Sequence, residues 1–164
     1  MKYYSTNKQA PLASLEEAVV KGLAGDKGLY MPEHIRPLDK DTISGLKNKS
    51  FHEIACTAAQ AFFGEDIEPE TLDAIVRDTL SFETPVVPVR DNIYSLELFH
   101  GPTLAFKDVG GRFMARLLGY FIKKEGLKQV NVLVATSGDT GALLQTVFSA
   151  YRVFMCTCSI RREK

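Results

Sequence analysis

The feature that most constrains the fold is a helix followed closely by an apolar strand in the second half of the chain. Residues Asp108 to Lys124 carry apolar side chains at helical spacing, so they predict an amphipathic helix that ends at Gly126. Val130 to Ala135 is almost entirely apolar, which is typical of a strand buried on both faces of a parallel sheet. Because Ile93 to Leu98 alternates as a strand before the helix, the order predicts a βαβ unit and an α/β fold.

The first half of the chain is predicted to be mainly helical. Ser14 and Glu17 have the spacing of a capping box, which begins a helix that reaches about Leu23. Three further helices are predicted, near residues 42–46, 50–63 and 69–80.

The chain is expected to divide into three parts. The two prolines between Thr84 and Val89 forbid a helix, so this stretch is extended and marks a soft boundary. We therefore predict a helical part over residues 1–89 and the start of an α/β part over residues 90–141. A tail is expected over residues 142–164.

Composition excludes several functions. Lys plus Arg and Asp plus Glu are both 20, and this zero net charge argues against a general electrostatic grip on nucleic acid or an anionic membrane. Cys56, Cys156 and Cys158 lack the number and spacing of a disulfide framework or a zinc site. No hydrophobic run approaches a membrane span. We expect a cytoplasmic protein with reduced thiols, no metal, and neither nucleic acid nor membrane as a partner.

One lysine occupies a position that favours a reactive amine. Lys107 lies between the predicted strand and the helix expected to begin at Asp108, beside Leu104 and Phe106. Apolar burial and the positive end of a helix both disfavour the cation, and only a neutral amine attacks a carbonyl. Such a lysine suits Schiff-base chemistry. From these residues alone, an ordinary loop lysine with Asp108 capping the helix is the more frequent outcome.

A second candidate segment follows the apolar strand. Residues 135–141 read Ala-Thr-Ser-Gly-Asp-Thr-Gly, and their backbone N–H groups can line an anion-binding turn. The carboxyl end of a parallel strand is where α/β proteins bind ligands. The alternative is a plain loop in which Asp139 or Thr140 caps the next helix. Neither a GxxxxGK[ST] nor a GxGxxG pattern occurs, so P-loop and classical dinucleotide sites are not supported.

The three histidines share no metal-ligand spacing. His100 stands beside Gly101-Pro102 and close to Lys107 in sequence, so it can serve a site, although a structural role is the preferred interpretation.

The two candidate segments, in this order and at this separation, resemble the threonine synthase family, whose members are pyridoxal-phosphate (PLP) enzymes of the tryptophan-synthase-β fold type. The similarity covers residues 3–141, and its most specific segments are Gly22–Glu33, Leu98–Val109 and Ala135–Gly141. Lys27 stands where the family more often has glycine. The resemblance implies a helical N-terminal part joined to an incomplete parallel sheet of that PLP-dependent type. With this resemblance, a reactive Lys107 becomes the preferred interpretation over an ordinary loop lysine.

The resemblance further implies a carbon–oxygen lyase that uses PLP and acts on a phosphorylated small molecule, O-phospho-L-homoserine. Lys107 is then the catalytic residue, which binds the cofactor as a Schiff base and moves protons once it is released. Phosphate leaves, water is added, and threonine is the product. The resemblance assigns cofactor binding to Phe106, Lys107, Asp108 and Asp139, and substrate binding to His100, Thr103, Ser137, Gly138 and Thr140. It also implies that Phe106 and Asp108 flank Lys107 and set its pose.

Two other functions stay open. One is a related PLP-dependent lyase that acts on another phosphorylated amino acid. The other is a non-catalytic protein that binds a ligand or a partner.

The family pattern stops directly after Gly141. A Gly/Asn-rich loop that holds the cofactor phosphate, and a polar residue that meets the pyridine nitrogen, have no counterpart in this chain. Residues 142–164 can be encoded by codons that, with one base added, read SAVANGFLGVPGIHVYVLYPKGK, which is similar to the family's next helix, strand and loop. We therefore hypothesise a lost base after the Gly141 codon, an out-of-frame tail and a truncated, inactive product. The alternative is a short protein with its own C-terminus.

Overall fold

The computed structural model describes residues 1–126, 130–136, 141, 144–145, 147–148 and 154–160. The chain separates into two compact units, Met1–Asp78 and Thr79–Lys164. In the described part, no helix is both long and apolar enough to cross a membrane.

The first unit combines a small antiparallel sheet with helices. Strand β1 (Tyr3–Ser5) pairs with β2 (Tyr30–Pro32), which brings Tyr4 opposite Met31. The helices are α1 (Leu15–Lys21), α2 (Lys40–Gly45), α3 (Phe51–Phe63) and α4 (Pro69–Thr79), with a short 3₁₀ helix, Leu46–Asn48, after α2. Its buried apolar residues are Tyr3, Ala13, Leu15, Ala24, Ala61, Ile67, Leu72, Ile75 and Val76.

Helix α1 begins where the sequence predicts. Ser14 Oγ accepts a hydrogen bond from Glu17 N at 3.1 Å, while the Glu17 carboxylate accepts from Lys21 Nζ at 2.6 Å. The helix ends at Lys21 rather than near Leu23, because Gly22 adopts a φ of 73° and leaves the helical conformation.

A reciprocal capping box lies instead at the start of α3. Ser50 Oγ accepts from Glu53 N at 3.4 Å, and the Glu53 carboxylate accepts from Ser50 N at 2.8 Å. Two backbone donors at the helix start are thereby satisfied, which fixes where α3 begins.

Within its described residues, the second unit contains two separate strand pairs and one long helix. Strands β3 (Val86–Arg90) and β4 (Ile93–Leu96) form an antiparallel hairpin. Helix α5 (Lys107–Lys124) follows, and β5 (Val130–Thr136) then pairs in parallel with β6 (Phe154–Ile160). The buried apolar residues of α5 are Ala115, Leu117, Leu118, Phe121 and Ile122.

The predicted βαβ unit, in which β4 and β5 flank α5 in one parallel sheet, is wrong. Strand β4 pairs with its sequence neighbour β3, and the parallel partner of β5 is β6. A hairpin forms because Asp91, with a φ of 45°, permits a tight turn between β3 and β4.

The predicted burial of β5 on both faces is also wrong. Leu133 is 80% exposed, and Asn131 and Ala135 share its exposure along the strand. Alternate residues of a strand face opposite sides of a sheet, so a strand is buried on both faces only where both sides of the sheet are covered.

Candidate functional site

Lys107 is the first residue of α5 and is half-buried, so the helix begins one residue earlier than the sequence predicts. Its Nζ lies 6.0 Å from the centroid of the Phe106 ring. The expected apolar burial by neighbours is wrong, because Leu104 is 77% exposed and Phe106 is 65% exposed. Of the two predicted features, the structure contains the helix start. It does not contain an apolar cover formed by these two side chains.

The segment before Lys107 is a tight turn. Leu104 N donates a hydrogen bond to Gly101 O at 3.0 Å, which closes the turn Gly101–Leu104. Leu104 has a φ of 56°, in the left-handed region that a bulky side chain rarely adopts. A non-glycine residue in this conformation persists only when surrounding contacts hold it there.

Asp108 holds this turn through its carboxylate. The side chain is completely buried, and Oδ2 accepts a hydrogen bond from Thr103 N at 2.9 Å. In the described part of the chain, Asp108 Oδ1 and Thr103 Oγ1 are buried without a hydrogen-bond partner. Asp108 lies inside the first turn of α5 and reaches back to the loop, so it differs from the simple N-cap that was the alternative.

His100 contacts residues on its own segment. Its ring stacks on Phe99 with centroids 4.8 Å apart, and Nε2 lies 2.7 Å from a carboxylate oxygen of Glu97. This pairing orients the ring from the side of β4. Its predicted contact with substrate stays a prediction.

The four loop residues predicted after β5 lie outside the described residues: Ser137, Gly138, Asp139 and Thr140. The predicted residues that the structure brings together are Thr103, Phe106, Lys107 and Asp108, which share one turn and helix start. Among the residues described, no group of three or more His, Cys, Asp or Glu side chains could hold a metal ion.

Two residues that hold this region together were not predicted from the sequence. Gly101 is needed because a Cβ there would lie 2.5 Å from Asp108 Oδ2 and 2.8 Å from Asp108 Cγ. Arg112 donates from Nε to Thr79 O at 3.0 Å and from Nη2 to Ser81 Oγ at 2.8 Å, which ties α5 to the segment that precedes β3. The Gly-Pro pair was a signal for the first, whereas no local pattern indicated the second.

The chain matches known proteins over most of its length. The family described as Threonine synthase N terminus matches residues 2–80. The chain is 39% identical to the threonine synthase of Escherichia coli (strain K12) over 148 residues, which is 90% of this chain and 34% of that protein. It is 40% identical to the threonine synthase of Haemophilus influenzae, with the same shares of each chain covered. The chain is similar to the N-terminal portion of threonine synthases.

The fold comparison leads to the same family. A crystal structure of PLP-bound threonine synthase from Brucella melitensis superposes with a TM-score of 0.89 at 35% identity, covering 96% of this chain and 35% of that one. The predicted resemblance and the predicted α/β fold class are therefore confirmed. The chain spans about a third of the length of the threonine synthases that it matches.

Proposed function

We propose that this chain carries the cofactor-anchoring portion of a PLP-dependent threonine synthase and that Lys107 binds the cofactor. The position of Lys107 as the first residue of α5, inside the segment that resembles the family, carries the proposal. A related structure with PLP bound, 35% identical to this chain, supports the choice of cofactor.

The residues around Lys107 fit such a cofactor. Lys107 provides the primary amine that a Schiff base requires, at the positive end of an 18-residue helix that also favours an anionic group. Phe106 offers an exposed aromatic ring beside the amine. Thr103 Oγ1 and Asp108 Oδ1, buried without partners in the described part, retain hydrogen-bonding capacity at the same turn.

The chemistry follows from the amine. PLP, when bound, supplies the electron sink that makes a carbanion accessible. Lys107 Nζ then takes and returns protons at the substrate carbons, as a positioned general base and acid. Loss of phosphate and addition of water would complete a carbon–oxygen lyase reaction on O-phospho-L-homoserine, with threonine as the product.

A polypeptide of these 164 residues alone is expected to bind PLP more weakly than a whole threonine synthase. It covers 34% of the threonine synthase of Escherichia coli (strain K12), and the site residues that we assign by resemblance lie between His100 and Thr140. A partial set of contacts binds a cofactor less tightly than a full one, because the cost of immobilising it is offset by fewer interactions. We further propose a cytoplasmic location, which the Cys56 thiol supports because it donates a hydrogen bond to Asp73 and forms no disulfide.

Borohydride reduction tests the cofactor assignment. The purified chain is mixed with PLP, reduced and digested, and mass spectrometry locates the pyridoxyl group. We expect it on Lys107 and expect its loss in Lys107→Ala. Lys124→Ala, at the opposite end of the same helix, is the matched control and should label like the wild type. Labelling spread evenly over surface lysines, or retained in full by Lys107→Ala, would favour the non-catalytic binding protein.

Competition tests the substrate class. O-phospho-L-homoserine added before reduction should lower the pyridoxyl label on Lys107, because its amine competes for the cofactor. O-phospho-L-serine, which is shorter by one carbon, is the matched control. Stronger competition by the control compound would favour the related lyase that acts on another phosphorylated amino acid.

A further inference from the structure

Asp108 is a buried carboxylate next to the amine in sequence, and its environment is unusual. A charged side chain is rarely fully buried unless its oxygens are paired, yet in the described part only Oδ2 has a partner, the Thr103 backbone N–H at 2.9 Å. The carboxyl group accepts from the backbone of the turn, because Oδ2 is bonded to the Thr103 N–H.

The turn that Asp108 holds requires such an anchor. Leu104 adopts the left-handed conformation although its side chain is 77% exposed, so side-chain packing does not hold it there. Its backbone contact within the turn is the 3.0 Å bond from Leu104 N to Gly101 O. Strain of this kind costs about 1–3 kcal/mol and persists where the surroundings determine the conformation.

Gly101 and Asp108 are matched in shape. Gly101 is buried, and its Cα approaches the carboxyl group so closely that any Cβ would meet Asp108 Oδ2, Cβ and Cγ within 2.8 Å. The turn is thus fixed at two points, by the hydrogen bond at Thr103 and by van der Waals contact at Gly101. Both contacts converge on the residue that follows Lys107.

We propose that Asp108 is a positioning residue that locks the turn Gly101–Leu104 against the start of α5 and thereby sets the pose of Lys107. The resemblance implies that Asp108 sets the pose of Lys107, and the lock on the turn Gly101–Leu104 is the means by which it does so. Its consequence for the cofactor rests on the proposed function, whereas the lock itself does not.

Amide hydrogen exchange tests the lock without any cofactor. Removal of the carboxyl group would leave the buried Thr103 N–H without its acceptor, which changes a local opening equilibrium by about tenfold or more. Exchange at Thr103 and Leu104 should therefore accelerate by about tenfold in Asp108→Ala, and by less in Asp108→Asn, whose amide oxygen still accepts from Thr103 N–H. Phe121 and Ile122 amides in α5 report whether the fold is intact. Asp41→Ala, an exposed acidic residue in the first turn of α2, controls for charge loss at a helix start.

Gly101→Ala provides a second perturbation that leaves the carboxylate in place. Its added Cβ should displace the carboxyl group and accelerate Thr103 exchange in the same direction as Asp108→Ala. If Asp108→Ala does not fold, Gly101→Ala decides the question. Unchanged exchange at Thr103 in a folded Asp108→Ala or Gly101→Ala variant would overturn the lock.

Borohydride labelling then tests the effect on Lys107. We expect the yield of pyridoxyl-Lys107 to fall about tenfold in Asp108→Ala and to be largely restored in Asp108→Asn. A folded Asp108→Ala variant with faster exchange but wild-type labelling would show that the turn does not position the lysine. If the wild type takes no label, the proposed function fails, and exchange alone decides whether Asp108 locks the turn.

Discussion

Replacement of Gly28 by alanine should destabilise the first unit through a steric clash at a buried position. A Cβ on Gly28 would collide with Ser5 Oγ and would lie 2.9 Å from the backbone nitrogen of Asn7. Ser5 is fully buried, and its hydroxyl donates to Asp26 Oδ1 at 2.6 Å, so rotation of the hydroxyl away from the added Cβ would break that hydrogen bond. The Asn7 nitrogen belongs to the backbone, so it can move away only if the chain itself shifts.

The expected cost lies in the upper part of the overpacking range. Extra atoms forced into a packed site cost about 1–3 kcal/mol, and a clash with both a bonded hydroxyl and backbone indicates about 2–3 kcal/mol. For a chain of this length, that corresponds to a fall in melting temperature of about 4–12 °C. Thermal unfolding followed by circular dichroism measures it.

Gly25→Ala is the matched control, because Gly25 lies in the same turn and a Cβ there would meet no atom within 4 Å. It should leave the melting temperature unchanged or raise it slightly, since alanine restricts the unfolded chain. In a Ser5→Ala background, part of the clash disappears, so the cost of Gly28→Ala should shrink by about 1 kcal/mol. Equal melting temperatures for Gly28→Ala and Gly25→Ala would refute the steric argument.

Three further predictions concern charge, a thiol and the coding sequence. The Ser5 hydroxyl, with the backbone N–H groups of Gly28, Gln9 and Ala10, lowers the pKa of Asp26 to about 2 from 3.8. Because the folded pKa is the lower one, this stabilisation is complete above pH 3.8 and is lost as the pH falls towards 2, so Asp26→Asn should differ from wild type in melting temperature at neutral pH but hardly near pH 2. Burial, and then the hydrogen bond to Asp73, raises the pKa of the Cys56 thiol to about 11. Iodoacetamide should therefore alkylate Cys56 slowly at mildly alkaline pH and faster in Asp73→Asn; equal rates would contradict this account. Sequencing of the coding DNA past the Gly141 codon should give a threonine-synthase-like continuation after a one-base shift, and the absence of such a continuation would refute the out-of-frame hypothesis for residues 142–164.

Local signals predicted the helices well. The helix near residues 50–63, the helix that begins at Pro69 and the long helix that ends at Lys124 were all predicted from spacing, caps and proline. These features act within three or four residues, so the sequence contains both partners of each interaction. The same holds for Lys107, whose place at a helix start follows from the periodicity of the residues after it.

Pairing between strands could not be predicted in the same way. The sequence order suggested that β4 and β5 belong to one unit, whereas β4 forms a hairpin with β3 and β5 pairs with β6. Strand pairing depends on which hydrogen-bonding edges meet in space, and periodicity within a strand does not specify its partner.

For the candidate site, the sequence by itself determined the lysine, its segment and the resemblance to threonine synthases, because a motif is a property of neighbouring residues. Only the tertiary structure decided the environment of that lysine. It exposed Leu104 and Phe106, buried Asp108 completely, and brought Gly101 against the Asp108 carboxyl group. Burial and close contact depend on how the turn folds back over the helix start. The path of the turn is set by contacts between groups, and the order of residues in the chain does not give the distances between those groups.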